Sequence, residues 1–172
     1  MTKQILLSLL VLAGAAAANA ADARKSTNTP NAAAAFERLK TLAGEWDGSN
    51  GSMKGHISYE LIAAGTALVE RETAEGMPSM MTVYHLDGDR LILTHYCMLG
   101  NQPRMVARRY DSASGELAFE FLDGTNLSNS KAAHMHTADF RFIDNDHFSS
   151  SWQLYQNGEA RQREHVEYTR VK

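Results

Sequence analysis

His134-Met135-His136 offers the most chemistry in this chain. On a β-strand, residues two apart project from the same face. A His-x-His pair there is a metal-ligand spacing, with His95 as a third ligand and Cys97 as a fourth for Zn²⁺. A variant of the metal reading is a haem with one of these histidines as axial ligand, which would be non-covalent because the chain has no Cys-x-x-Cys-His. The plainer alternative is that His134 and His136 are neutral and hydrogen-bonded to backbone or to Tyr and Asn side chains. No nucleophile constellation is present: Gly-x-Ser-x-Gly, His-Glu-x-x-His and Gly-rich phosphate loops are all missing. A barrel enzyme using His95 or His136 as general base is neither required nor excluded, and no catalytic residue is assigned.

Strands must position these side chains. From Trp46 onward the hydrophobic period is two. Strands are expected over 45–49, 53–60, 66–74, 79–86, 89–97, 104–111, 116–122, 134–143, 147–156 and 159–171. Asp87-Gly88 and Asn157-Gly158 are hairpin turns, and the short connections predict antiparallel neighbours. Tyr84, Leu91, Leu93, His95 and Cys97 share one face, assigned inward because the opposite face carries His85 and Arg90. The face bearing His134, His136, Ala138, Phe140 and Phe142 is likewise assigned inward, as is Trp152 with Ser150 and Leu154. Gly100-Asn101-Gln102-Pro103-Arg104 lies between two strands. There Asn101 and Gln102 offer amides at the barrel mouth or satisfy local backbone. Arg104 clamps a ligand carboxylate or simply faces solvent. Met77, Met80, Met81, Met98 and Met105 surround the central hairpin. They suit a plastic apolar pocket, or are ordinary core filling.

The N-terminal end sets the compartment. Lys3, an apolar run and Ala18-Asn19-Ala20 read as a signal peptide over 1–20, cleaved after Ala20, which implies a periplasmic or secreted protein. The apolar run is too short for a membrane span, and no Cys near the cleavage site invites a lipid anchor. Residues 21–31 read as a disordered leader, and 32–172 as one domain. Asn31 caps a helix carrying Phe36, Leu39 and Leu42 on one face, with Gly44 placed to end it. The formal net charge of −3, without a Lys/Arg cluster, argues against a nucleic-acid partner. The lone Cys97 cannot form an intrachain disulfide, and a free thiol of this kind is usually buried and inert.

Gly44-Glu45-Trp46, Thr82-Val83-Tyr84-His85-Leu86-Asp87-Gly88-Asp89, Thr94-His95-Tyr96-Cys97, His134-Met135-His136 and Tyr155-Gln156-Asn157-Gly158 together resemble the calycin, lipocalin-like barrels. They resemble more closely a set of secreted bacterial proteins of unknown function. The resemblance implies a ligand-holding barrel in which Trp46 at the base packs against an arginine after the last strand, here Arg170. Eight-stranded lipocalins usually carry disulfides, whereas this chain reads closer to ten strands with none, like fatty-acid-binding proteins or the haem-binding nitrobindins. The expected fold is thus an all-β, roughly ten-stranded closed antiparallel barrel, capped at one end by a helix over 31–43. The expected function is non-catalytic binding of a small apolar ligand by Tyr84, His95, Cys97, Asn101, Gln102, Arg104, His134, His136 and Trp152, without a cofactor. The alternative is a Zn²⁺- or haem-binding barrel, with enzymatic activity left open, using His95, His134 and His136.

Overall fold

The computed structural model describes residues 31–172; the expected signal peptide and most of the leader lie outside them. Helix α1 (Ala32–Lys40) opens with the Asn31 side chain accepting a hydrogen bond from the Ala34 amide at 3.0 Å. Ten strands follow: β1 (Gly44–Ser49), β2 (Lys54–Ile62), β3 (Ala67–Ala74), β4 (Met80–Asp87), β5 (Arg90–Tyr96), β6 (Gln102–Asp111), β7 (Glu116–Thr125), β8 (His134–Phe142), β9 (His147–Gln156) and β10 (Glu159–Arg170). Each pairs antiparallel with its chain neighbour, and β10 returns to pair with β1, closing the barrel. Closure leaves no unpaired sheet edge, which is how a meander of this many short strands avoids edge-to-edge association.

One end is plugged. Ala35, Phe36 and Leu39 of α1 are buried, and the helix packs against β4, β5 and β6. Trp46 is fully buried, its indole Nε1 donating to the Leu42 carbonyl at 2.7 Å. Phe148 meets it edge-on with ring centroids 4.8 Å apart. The Arg170 guanidinium lies 4.1 Å from the indole centroid and donates to the carbonyls of Thr41, Ala43 and Asn145 at 2.8–2.9 Å. One arginine thereby ties the helix, the first strand and the β8–β9 turn together.

Gly44 does not end the helix, as the sequence suggested; Thr41 caps it. Gly44 opens β1 at φ +124, in backbone space that favours glycine, and a Cβ there would sit 3.0 Å from Arg170 Nη1. The glycine of Gly-x-Trp thus leaves room for the arginine that covers the tryptophan.

Above the plug a belt of Leu68, Tyr84, Leu93, Met105, Leu117, Phe119 and Phe140 fills the barrel, each at most 2% exposed. Toward the other end the interior turns polar. Along β3 the inward positions run Leu68, Glu70, Glu72; along β5 they run Leu91, Leu93, His95; along β10, read from its C-terminal end, they run Tyr168, Val166, Glu164. The lumen is packed solid in one half and open in the other.

Candidate functional site

The open half holds a cavity of about 200 Å³ lined by Met77, Met80, Cys97, Met98, Leu99, Met135, Trp152, Leu154, Gln162 and Glu164. A smaller recess continues inward from it, sharing Met80, Met135, Trp152 and Glu164 and adding Glu72, His95 and Tyr168. The walls are apolar and rich in methionine, and the polar groups converge at the floor. Ligand sites have this general make-up. A larger recess of about 300 Å³ lies over charged residues including Arg109, Glu116, Asp139 and Arg163. Its charges already pair with one another, Arg163 with Asp139 and Arg109 with Glu116.

His95 sits at the floor, 3% exposed, with its ring centroid 5.0 Å from that of Trp152. Its Nδ1 is 3.0 Å from Thr82 Oγ1, and its Nε2 has no partner among the described residues. Thr82 Oγ1 donates to Glu70 Oε1 at 3.3 Å, and Tyr84 Oη donates to Glu70 Oε2 at 2.5 Å. A hydroxyl has a single hydrogen. Thr82 spends its own on Glu70 and therefore accepts from His95 Nδ1–H. The buried chain Glu70–Thr82–His95 assigns the tautomer, leaving the Nε2 lone pair facing the recess. Burial holds the His95 pKa down at about 4, so the imidazole is neutral at ordinary pH.

Two carboxylates share the recess. Glu72 is raised to about 7, first by burial and then by the charges of Glu70 and Glu164. Glu164 lies opposite Trp152 on the neighbouring strand. Burial raises the Cys97 thiol as well, which keeps it protonated.

The remaining residues singled out from the sequence are placed as follows. Tyr84 faces inward but lies in the packed belt, fully buried beneath the cavity. Trp152 and Cys97 line the cavity. Asn101 is buried, its amide donating to the Ala133 carbonyl at 2.8 Å. Gln102 is held by Thr125 and Asn126. Arg104 pairs bidentately with Asp123 and is about half exposed, so its fork is already occupied.

His134 and His136, placed on the inner face by strand alternation, line neither the cavity nor the recess, and His134 is buried. Met135 pairs with Leu154 and Thr137 with Gln153, so His136 is the extra residue of a β-bulge. A bulge shifts the alternation by one. Met135 turns to the cavity, and the two imidazoles meet Tyr155, which alternates with the cavity residues Trp152 and Leu154. His136 stacks between Phe121 and Tyr155, at 5.2 and 3.9 Å with planes 15° apart in both cases. His134 Nδ1 donates to the Ala132 carbonyl at 2.7 Å, which leaves its Nε2 to accept from His136 Nδ1 at 2.9 Å. Burial, and then the neighbouring His134, lower the His136 pKa. The pair is hydrogen-bonded within itself. Among the described residues no three His, Cys, Asp or Glu side chains converge to hold a metal ion, so the three-histidine arrangement is not formed.

Sequence reasoning missed Glu70, Glu72, Thr82, Met135 and Glu164. Alternation from Leu68 does carry a signal for Glu70 and Glu72, since all three share one face of β3.

The fold and site together define a closed ten-stranded barrel, plugged at one end and open at the other over an acidic, histidine-bearing floor. Solved structures share this architecture. Rv2717c from M. tuberculosis matches with a TM-score of 0.54 and 18% sequence identity, over 80% of this chain and 98% of that one. A protein of unknown function from the DUF3598 family of Nostoc punctiforme PCC 73102 matches with a TM-score of 0.53 and 16% identity. That match covers 77% of this chain, which spans about half (49%) of the larger protein. No protein-family model and no curated protein matches the chain.

Proposed function

We propose that this protein is an exported barrel of the calycin type that holds a small, largely apolar ligand in its open end. The observation that carries this reading is the methionine-lined cavity of about 200 Å³ above an unpartnered, buried His95 Nε2. A buried acceptor left without a partner is costly. A ligand that donates to Nε2 while burying its apolar body against Met80, Met98, Met135 and Leu154 removes that cost. Methionine side chains reshape at little penalty, so the pocket accommodates a family of shapes.

The cavity is smaller than the roughly 300–1,000 Å³ that drug-sized ligands occupy, so the ligand is compact. The same consideration bears on a haem at this site. His95 Nε2 would supply an axial lone pair, but a tetrapyrrole exceeds the space present and would meet two carboxylates at the floor. The residues present do not fit that group.

Native mass spectrometry of protein recovered from its own host tests the proposal. A bound small lipophile is expected, and Met135→Trp, which fills the cavity, should release it. A ligand retained by the folded Met135→Trp protein, or none on the wild type, would overturn the assignment.

A further inference from the structure

We propose that the ligand is an apolar primary amine, its ammonium group taken up in the inner recess that Glu72, Glu164 and His95 line. This rests on the cavity being a ligand site and specifies what that site selects.

The inner recess presents acceptors and few donors. Glu72 and Glu164 bring carboxylates, and His95 brings the Nε2 lone pair fixed by the Thr82–Glu70 chain. A primary ammonium has three donors and no acceptor, and so complements this set. No Lys or Arg lines either the recess or the cavity above it. No ion pair or hydrogen bond to Glu72 occurs among the described residues, and Glu164 receives only a long contact of 3.4 Å from Asn50 Nδ2. The Trp152 ring borders the same space. The methionines and leucines above accept the alkyl body. A carboxylate ligand would instead face two like charges.

Other titratable groups near Glu72 are Glu70 on its own strand, Tyr84 on β4, His95 on β5 with Cys97 just after it, and Glu164 and Tyr168 on β10. Lys54 and His56 of β2 line an adjoining opening that Glu72 and Glu164 also line; His56 is engaged there by Glu45 and Asp47, and Lys54 forms no ion pair among the described residues. A bound ammonium favours ionised Glu72. Because Glu72 otherwise protonates below about 7, amine affinity should weaken as pH falls below that value.

Calorimetric titration with hexan-1-amine, hexan-1-ol and hexanoate tests the inference. At pH 8 the amine should bind about tenfold or more tighter than the alcohol, the difference between a charge-assisted and a neutral hydrogen bond. Hexanoate should bind weakest. Amine affinity should fall as pH is lowered through about 7 and level off once its advantage over the alcohol is lost, while alcohol affinity stays flat. Glu72→Gln and, separately, Glu164→Gln should erase most of the amine preference yet leave alcohol binding in place. Equal binding of alcohol and amine, or tighter binding of hexanoate, overturns the amine assignment alone. Failure of all three ligands to bind overturns the ligand site as well.

Discussion

Replacing Glu72 with Gln should stabilise the protein at alkaline pH and leave it unchanged under acid conditions. The carboxyl is raised from its ordinary 4.5 to about 7 by burial and by the neighbouring acids. An acid whose folded-state pKa lies above its unfolded one favours the fold while protonated in both states, below about 4.5. That advantage is lost as pH rises to about 7. The gap is worth about 3 kcal/mol at 1.36 kcal/mol per pKa unit. Gln keeps the shape and stays neutral at every pH. Urea midpoints for wild type and Glu72→Gln, measured from pH 4.5 to 8, should therefore diverge, with the variant ahead by up to about 3 kcal/mol at pH 8. His95, held at about 4, acts in the opposite sense, weakening the fold as pH drops below 6.5. It is common to both proteins and cancels in their difference. A stability difference that does not change with pH would refute the reasoning, because it would mean that Glu72 is solvated like a surface carboxylate.

Arg170→Ala should destabilise the fold by about 3 kcal/mol, since it removes three hydrogen bonds to backbone carbonyls and the guanidinium over Trp46. Ligand affinity should stay unchanged, because the plug lies at the far end from the cavity; denaturation and binding assays together check this. Thr82→Val should cost roughly 1–3 kcal/mol by stranding Glu70 Oε1 and His95 Nδ1. In ¹⁵N spectra the wild-type His95 should remain a single Nδ1–H tautomer down to near pH 4, and the variant should lose that fixed tautomer.

The barrel was largely legible because period-two alternation and Gly-containing turns are local signals, and each of the ten strands falls where they place it. The packing of Arg170 on Trp46 was expected from the resemblance, and the guanidinium does lie over the indole. The site was harder. Tyr84, His95, Cys97 and Trp152 follow from strict alternation and do face inward. His134 and His136 break it, because one bulged residue flips the first part of β8, and no residue type in Met135-His136-Thr137 announces a bulge. The acidic floor was hidden for another reason. Glutamate on a strand ordinarily marks the solvent face, and Glu70 is tolerated inside only because Thr82 and Tyr84 from the adjacent strand donate to it. Such a pairing depends on register between β3 and β4. Arg104 and Gln102 are occupied by cross-strand partners on β7 for the same reason.

The central claim is that the methionine-lined end, and no other part of the barrel, takes up a small apolar molecule. Methyl-¹³C spectra of the methionines during titration with hexan-1-ol test it most directly. Met80, Met98 and Met135 line the cavity, whereas Met105 is sealed in the packed belt. Saturable shifts at the first three with Met105 unmoved are predicted. Shifts that fail to saturate, or that appear at Met105 and spare Met135, would contradict the account.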